Sequence, residues 1–430
     1  MRGRRNKKFV FVCLTAVIAV FLCVVAAEGT VFLYVLLGGK DVVISSTNRM
    51  YFDRPPLHYD KVRGYRWNPG TIRVARISGG VVSYDAKIAI NQQGWISTKD
   101  YRPKRSGDGR RYVVFGDSYT GSIEFSPPWP DLAEASIRKN RPSAGNIELL
   151  SFSQPAFGMA NWHSIFFGEV LPNYEFDGVI FAIWADDFVR EYSASTTVTG
   201  RLIGGDKVYM GRRMPIKPKD EADFQENFLP GIFSYPERTG FITFGHVVDE
   251  ARIESAIRDA VNGRFWKYDV LEFPGIKMAI RYVYRNIISR RPTQIDKARR
   301  AYDSAEQNAS LDDRLEATGI GKPNIQRLMQ VLEYCREHKI EVVMAALPDR
   351  HEVRKMMKTG AIQPTAIAPK LVAEHFGLRF FDGAQAFLDL DYDRVPDYFL
   401  VNDQHWNSKG ASKFAEAFAT FLVSEKITGP

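Results

Sequence analysis

From residue 111 onward the chain repeats one alternation. Short apolar runs at 112–115, 147–152, 178–184, 341–348 and 378–382 are rich in β-branched and aromatic side chains and carry little polar alternation. Runs of this kind predict strands buried on both faces. Between them lie stretches with apolar positions at helical spacing. These are residues 131–140, a helix opened by Pro323 with Ile325, Leu328, Met329, Leu332 and Cys335 on one face, residues 369–374, and a last helix with Ala411, Phe414, Ala415, Phe418, Phe421 and Leu422. Strands spaced by helices predict βαβ units and a parallel sheet.

The alternation fails in two places. Residues 39–110 mix short apolar pieces with the turn signals Pro55-Pro56, Asn68-Pro69-Gly70 and Gly79-Gly80, and residues 86–97 read as an extended piece turning at Gln93-Gly94. This segment is an ordered approach to the domain at 111–430. Residues 190–319 form an insertion, expected to be mainly helical, that is longer than an ordinary connection. Within it, residues 273–291 set Ile276, Ile280, Val283 and Ile287 at helical spacing among cations. Such a helix either covers the sheet or lies on a membrane surface.

The amino terminus has its own pattern. Residues 9–27 are an uncharged apolar run of 19, and residues 1–8 carry Arg2, Arg4, Arg5, Lys7 and Lys8. A run of that length behind a basic tail predicts a transmembrane helix with the tail in the cytoplasm and everything after it on the periplasmic or extracellular side. Apolar character resumes at 30–39, which favours an uncleaved anchor over 9–38. The alternative is a signal peptide cleaved after Val25-Ala26-Ala27.

Charge and cysteines refine this picture. The formal net charge is +8, and the five cations of the tail leave only +3 for the remainder. That residue of charge, with no recognisable binding motif, gives no basis for a nucleic-acid partner. Cys13 and Cys23 fall in the apolar run, so the exported part holds Cys335 alone and no intrachain disulfide. No His/Asp/Glu cluster has ligand spacing, so neither a metal nor another cofactor is expected.

Two stretches carry candidate chemistry. The first apolar run stops at Gly116-Asp117-Ser118, which leaves a hydroxyl at the carboxyl end of a buried strand, where α/β sheets keep their chemistry. A serine hydroxyl attacks only when a base takes its proton and a carboxylate orients the base. Of seven histidines, only His405 stands on a loop just before a helix with an acid, Asp403, two positions away.

With Gly158 after the second strand, the acidic Ile183-Trp184-Ala185-Asp186-Asp187-Phe188 after the third, and residues 403–410 before the last helix, the set resembles the SGNH/GDSL hydrolases. Residues 90–95 ahead of the first strand, together with the apolar amino terminus, are similar to the membrane-anchored bacterial members. The resemblance implies a flavodoxin-like three-layer α/β/α parallel sheet and acyl-ester chemistry. By position it makes Ser118 the nucleophile, His405 the base and Asp403 the orienting acid. Family members usually place that acid three residues before the histidine, at Asn402 here; the Asp-x-His form occurs in relatives that modify envelope polysaccharides. It also implies an oxyanion hole from the backbone N–H groups of Ser118 and Gly158 and an asparagine side chain, where this chain has Asp186. An ionised carboxylate there would repel the oxyanion, while a protonated one could donate. Asn161 and His163 are further polar groups beside Gly158.

The expectation is therefore a membrane-anchored, exported serine hydrolase acting on acyl esters, with O-acetyl groups of an envelope polysaccharide as the expected substrate. Its partners would be an acylated carbohydrate or another acyl ester, the membrane through the amino-terminal helix, and envelope polysaccharide machinery. Two alternatives stay open: an O-acetyltransferase using the same residues, and a glycan-binding or scaffold protein with an impaired oxyanion hole.

Overall fold

The computed structural model describes residues 15–16, 18–23, 25–26, 28–30, 48–78, 80–105, 107, 109–140, 147–155, 157–184, 187–189, 196–203, 206–216, 220–225, 233–234, 245–262, 310–401 and 403–427. Within the apolar run 9–27, the described residues are helical, and among the described residues no helix is long and apolar enough to cross a membrane.

The approach segment builds strands β1 (Asn48–Phe52), β2 (Leu57–Asp60), β3 (Gly64–Trp67), β4 (Gly70–Ser78) and β5 (Val81–Ile90). The short pair β2 and β3 forms its own hairpin. Next come β6 (Arg110–Gly116), helix α1 (Trp129–Asn140), β7 (Ile147–Ser153), helix α2 (Met159–Ile165) and β8 (Gly178–Ile183). The insertion holds β9 (Thr196–Ile203), β10 (Asp206–Ile216), β11 (Phe233–Ser234), β12 (Gly245–Val247), helix α3 (Glu250–Val261) and helix α4 (Leu311–Ala317). The chain closes with α5 (Lys322–Glu337), β13 (Glu341–Ala346), α6 (Arg350–Thr359), α7 (Pro364–Phe376), β14 (Arg379–Asp382) and α8 (Ser408–Ser424).

Five of these strands form the central sheet in the order β7-β6-β8-β13-β14, every pair parallel. In order of sequence this is 2-1-3-4-5, the doubly wound flavodoxin-like order. Six of the seven β6 residues are buried, which is why the run shows no alternation. Tyr112, Val114, Ile180 and Val343 face α1 and α8, while Val113, Phe115, Val179 and Met344 face the side of α2, α5 and α7. The sheet is thus the middle of three layers. Arg111 reads as a surface cation yet is fully buried: its guanidinium pairs with Glu148 and donates to the carbonyls of Arg102, Pro103, Lys104 and Glu175.

The approach segment is an integral layer. Trp67, Ile72, Trp95 and Tyr101 share one apolar core with Phe115, Phe152 and Phe157 of the central domain. Asn91 Oδ1 accepts the N–H groups of Gln93 and Trp95, closing the expected turn, and Trp95 Nε1 donates to Glu169 at 3.2 Å. Arg63 pairs with the same Glu169.

Among its described residues the insertion, expected to be mainly helical, holds strands as well as helices. β9 and β10 form an antiparallel hairpin, and β11 and β12 extend the approach segment's sheet, in the order β11-β12-β1-β4-β5. Helix α3 lays Ile253, Ala256 and Ala260 on Tyr51, Ala75 and Ile77 of that sheet. Residues 273–291, read as an amphipathic helix, lie outside the described residues.

Candidate active site

Ser118 stands just beyond the carboxyl end of β6, where the sheet's connections diverge to β7 on one side and β8 on the other. Divergence opens a crevice above the strand ends. The turn is tightly specified. The Asp117 carbonyl accepts the N–H groups of Thr120 (3.1 Å) and Gly121 (2.7 Å), and Asp117 Oδ1 accepts that of Tyr119 at 2.9 Å. A Cβ on Gly116 would lie 2.3 Å from Thr120 Oγ1, and one on Gly121 would lie 2.4 Å from the Ser153 carbonyl. Only glycine allows these approaches. Trp162 Nε1 donates to the Gly116 carbonyl and Trp129 Nε1 to Thr120 Oγ1, fixing the turn from both layers. Ser118 is half-buried between buried neighbours.

The loop before α8 brings the other two groups. The Leu400 N–H donates to the His405 carbonyl at 2.9 Å, and Phe399 bridges Trp406, so the two sides of the loop are pinned to each other. Trp406 is buried, donates through Nε1 to the Pro348 carbonyl and stacks on Phe414 at 4.5 Å. Asn407 caps α8 by accepting the N–H groups of Lys409 and Gly410. With the loop anchored, Ser118 Oγ lies 2.7 Å from His405 Nε2, and His405 Nδ1 lies 2.6 Å from Asp403 Oδ1. A carboxylate only accepts, so Nδ1 carries the proton, and in the neutral ring Nε2 is left as the acceptor facing Ser118.

Charge around the ring is one-sided. Burial works against the imidazolium, but the Asp403 carboxylate, its hydrogen bond, and the charges of Glu124 and Asp117 outweigh it, and His405 is pushed up to about 9. Burial also opposes ionisation of Asp403, yet His405 and Arg76 hold its carboxyl well below the usual range. Glu124 is buried, which raises its pKa, and it accepts the Ser122 hydroxyl at 2.7 Å.

Three residues hold this loop through contacts not visible in the sequence motifs. Arg76 of β4 pairs with Asp403 Oδ2, the oxygen turned away from the histidine. The Tyr119 ring stacks on His405 at 4.5 Å, and its hydroxyl donates to the Gln404 carbonyl at 2.9 Å. Ser83 of β5 donates to the Val401 carbonyl at 3.2 Å. The only sequence sign of Arg76 is a cation inside the apolar run Val74-Ala75-Arg76-Ile77, and nothing there names its partner.

The remaining expected residues are placed unevenly. Gly158 opens α2 five residues past β7, with its backbone extended. Asn161 is buried in α2, while the His163 ring nitrogen Nε2 lies 2.7 Å from Gln330 Oε1. Asp186 and Asn402 lie outside the described residues. Asp187 is buried, and its Oδ2 accepts the Trp184 N–H at 2.8 Å. Among the described residues no group of three or more His, Cys, Asp or Glu could hold a metal ion.

No protein-family model matches the chain, and no curated protein does. Solved structures similar to it include a protein assigned to the lipolytic G-D-S-L family from Desulfitobacterium hafniense, at 12% identity and a TM-score of 0.30, covering 73% of this chain and 98% of that one. A lipase/acylhydrolase from Enterococcus faecalis matches at 11% identity and a TM-score of 0.30, covering 74% and 96%. The protein YXIM of Bacillus subtilis matches at 10% identity and a TM-score of 0.33, covering 84% and 67%.

Proposed function

We propose that this chain is an esterase that cleaves acyl esters through a covalent serine intermediate. The observation that carries the reading is the line Ser118 Oγ–His405 Nε2–Asp403, with contacts of 2.7 and 2.6 Å. As Oγ bonds to the carbonyl carbon of the ester, its proton passes to Nε2 and the carbonyl oxygen takes the negative charge. The backbone N–H groups of Ser118 and Gly158 are the donors assigned to that oxygen. When the C–O bond to the alcohol breaks, the proton on Nε2 goes to the leaving oxygen, and the acyl group stays on Ser118. A second nucleophile, deprotonated by the same nitrogen, then releases the acyl group. Asp403 stays ionised throughout and keeps the ring oriented.

The finer reading is an O-acetyl ester on an envelope polysaccharide, met on the outer side of a membrane by a domain tethered through residues 9–38. The apolar run with its basic flank supports the tether. It also favours a second reading in which the releasing nucleophile is a sugar hydroxyl and not water, because a tethered domain sits beside a membrane acyl donor. An assay with p-nitrophenyl acetate and an acetylated oligosaccharide tests both. The wild-type chain is expected to release acetate and Ser118→Ala to release none. Transfer of acetyl to an added unacetylated oligosaccharide, in preference to water, would identify the transferase. Equal turnover by wild type and Ser118→Ala would sink the proposal.

A further inference from the structure

The two carboxylate oxygens of Asp403 divide its partners between them. Oδ1 takes the His405 ring at 2.6 Å and the backbone N–H groups of Gln404 (2.5 Å) and His405 (3.0 Å). Oδ2 is held by Arg76, which comes from a different sheet, 327 residues away in sequence. Both side chains are largely buried, 15% exposed for Arg76 and 10% for Asp403. The local geometry aims this pair. The β4–β5 register shifts between Arg76 and Ile77: Arg76 faces Tyr84, but Ile77 faces Val82, so Ser83 is the extra residue of a bulge. Bulges re-aim side chains. The same Ser83 donates to Val401, so Ser83 holds Val401 and Arg76 holds Asp403.

From this juxtaposition we infer that the amino-terminal sheet is a working part of the site, and that Arg76 is a positioning residue which locks the Asp403 carboxylate so that Oδ1 stays on His405. The inference rests on the esterase reading for its catalytic consequence only. Without Arg76, Asp403 keeps its charge but not its fixed orientation: a buried carboxylate with one oxygen unpartnered turns toward water, and the ring loses its constraint. The effect falls on the chemical step and not on substrate binding.

The test uses the full-length chain. A proton held in a 2.6 Å imidazole–carboxylate bond resonates far downfield in a proton NMR spectrum, and that signal reports the lock without any substrate. In Arg76→Gln the resonance is expected to broaden away or move upfield, as in Asp403→Asn. With p-nitrophenyl acetate, kcat is expected to fall about 10- to 100-fold, the range that losing the outer partner of an oriented metal ligand costs, with KM nearly unchanged. Arg76→Lys, which restores a cation without the planar fork, should recover part of both. Arg73→Gln is the control, because Arg73 lies on the same strand but pairs with Asp85 and Glu254. It should leave both readouts as in wild type. Arg76→Met, of similar length and apolar, replaces Arg76→Gln should that variant not fold by circular dichroism. A wild-type resonance together with wild-type kcat in the folded Gln or Met variant overturns the inference. Loss of the resonance in a chain that cleaves no ester would leave the positioning role standing and remove the esterase reading.

Discussion

Replacing Asp403 by asparagine should move the pH dependence of the reaction in a direction that can be worked out beforehand. In the wild type His405 is raised from 6.5 to about 9, chiefly by the Asp403 charge and hydrogen bond acting against burial. At about 1.4 kcal/mol per factor of ten, this is on the order of 3 kcal/mol of preference for the protonated ring. The base must be neutral to take the Ser118 proton, so at pH 7 only about one ring in a hundred is competent, and kcat/KM should rise roughly tenfold per pH unit toward 9. Asparagine keeps the shape but removes the charge. Burial then dominates, and the rising limb should move to near or below the ordinary histidine value. The plateau should fall by about 10 000-fold, because an amide can hold the wrong tautomer. The assay is p-nitrophenyl acetate hydrolysis from pH 5 to 10 with the spontaneous rate subtracted. A limb that stays near pH 9 in Asp403→Asn would refute the reasoning, since it would mean that Asp403 does not set the charge state of His405.

Other outcomes follow from the same contacts. Because the folded pKa of His405 lies above its unfolded value, the stability it contributes is complete below about 6.5 and is lost as pH rises through about 9. The melting temperature should therefore fall between pH 7 and 10, and His405→Gln should flatten that slope. Tyr119→Phe keeps the ring on His405 but deletes the hydroxyl bond to Gln404, and should lower stability by about 1 kcal/mol in urea unfolding, with a small fall in kcat. Gly121→Ala would force a methyl to 2.4 Å from the Ser153 carbonyl, and should cost at least about 1–3 kcal/mol in a thermal melt. The sequence resemblance sets Asp186 at the position of an oxyanion-hole asparagine, and on that assignment Asp186→Asn would exchange a repelling carboxylate for a donor. Turnover should rise by up to about 100- to 1000-fold, and an unchanged rate would argue that this position does not face the oxyanion.

Much of the site was legible because its signals are local. A buried strand that ends at Gly116-Asp117-Ser118, and an acid and histidine two residues apart before a clean amphipathic helix, each declare themselves within ten residues of chain. The central strands were equally plain, since burial on both faces leaves an unbroken apolar run. What stayed hidden is long-range or short-lived in sequence. The β11 and β12 strands are two and three residues long, too brief for any periodicity, and become visible only through pairings such as Tyr51 with His246. Arg111 carries the signature of a solvated cation, and only the assembled fold supplies the four carbonyls and one carboxylate that let it be buried. Arg76 is the most consequential case. Its partner lies at the far end of the chain, and the bulge at Ser83 that aims it depends on the register of two strands.

The central claim is that Ser118 is a nucleophile activated by His405, and a fluorophosphonate probe tests it most directly. Incubation with the folded chain, followed by intact-mass measurement and peptide mapping, is predicted to give one stoichiometric adduct on Ser118. The adduct should form faster as pH rises toward 9 and be lost in His405→Ala. A folded wild-type chain that stays unmodified, or one labelled at the same rate without His405, would contradict the account.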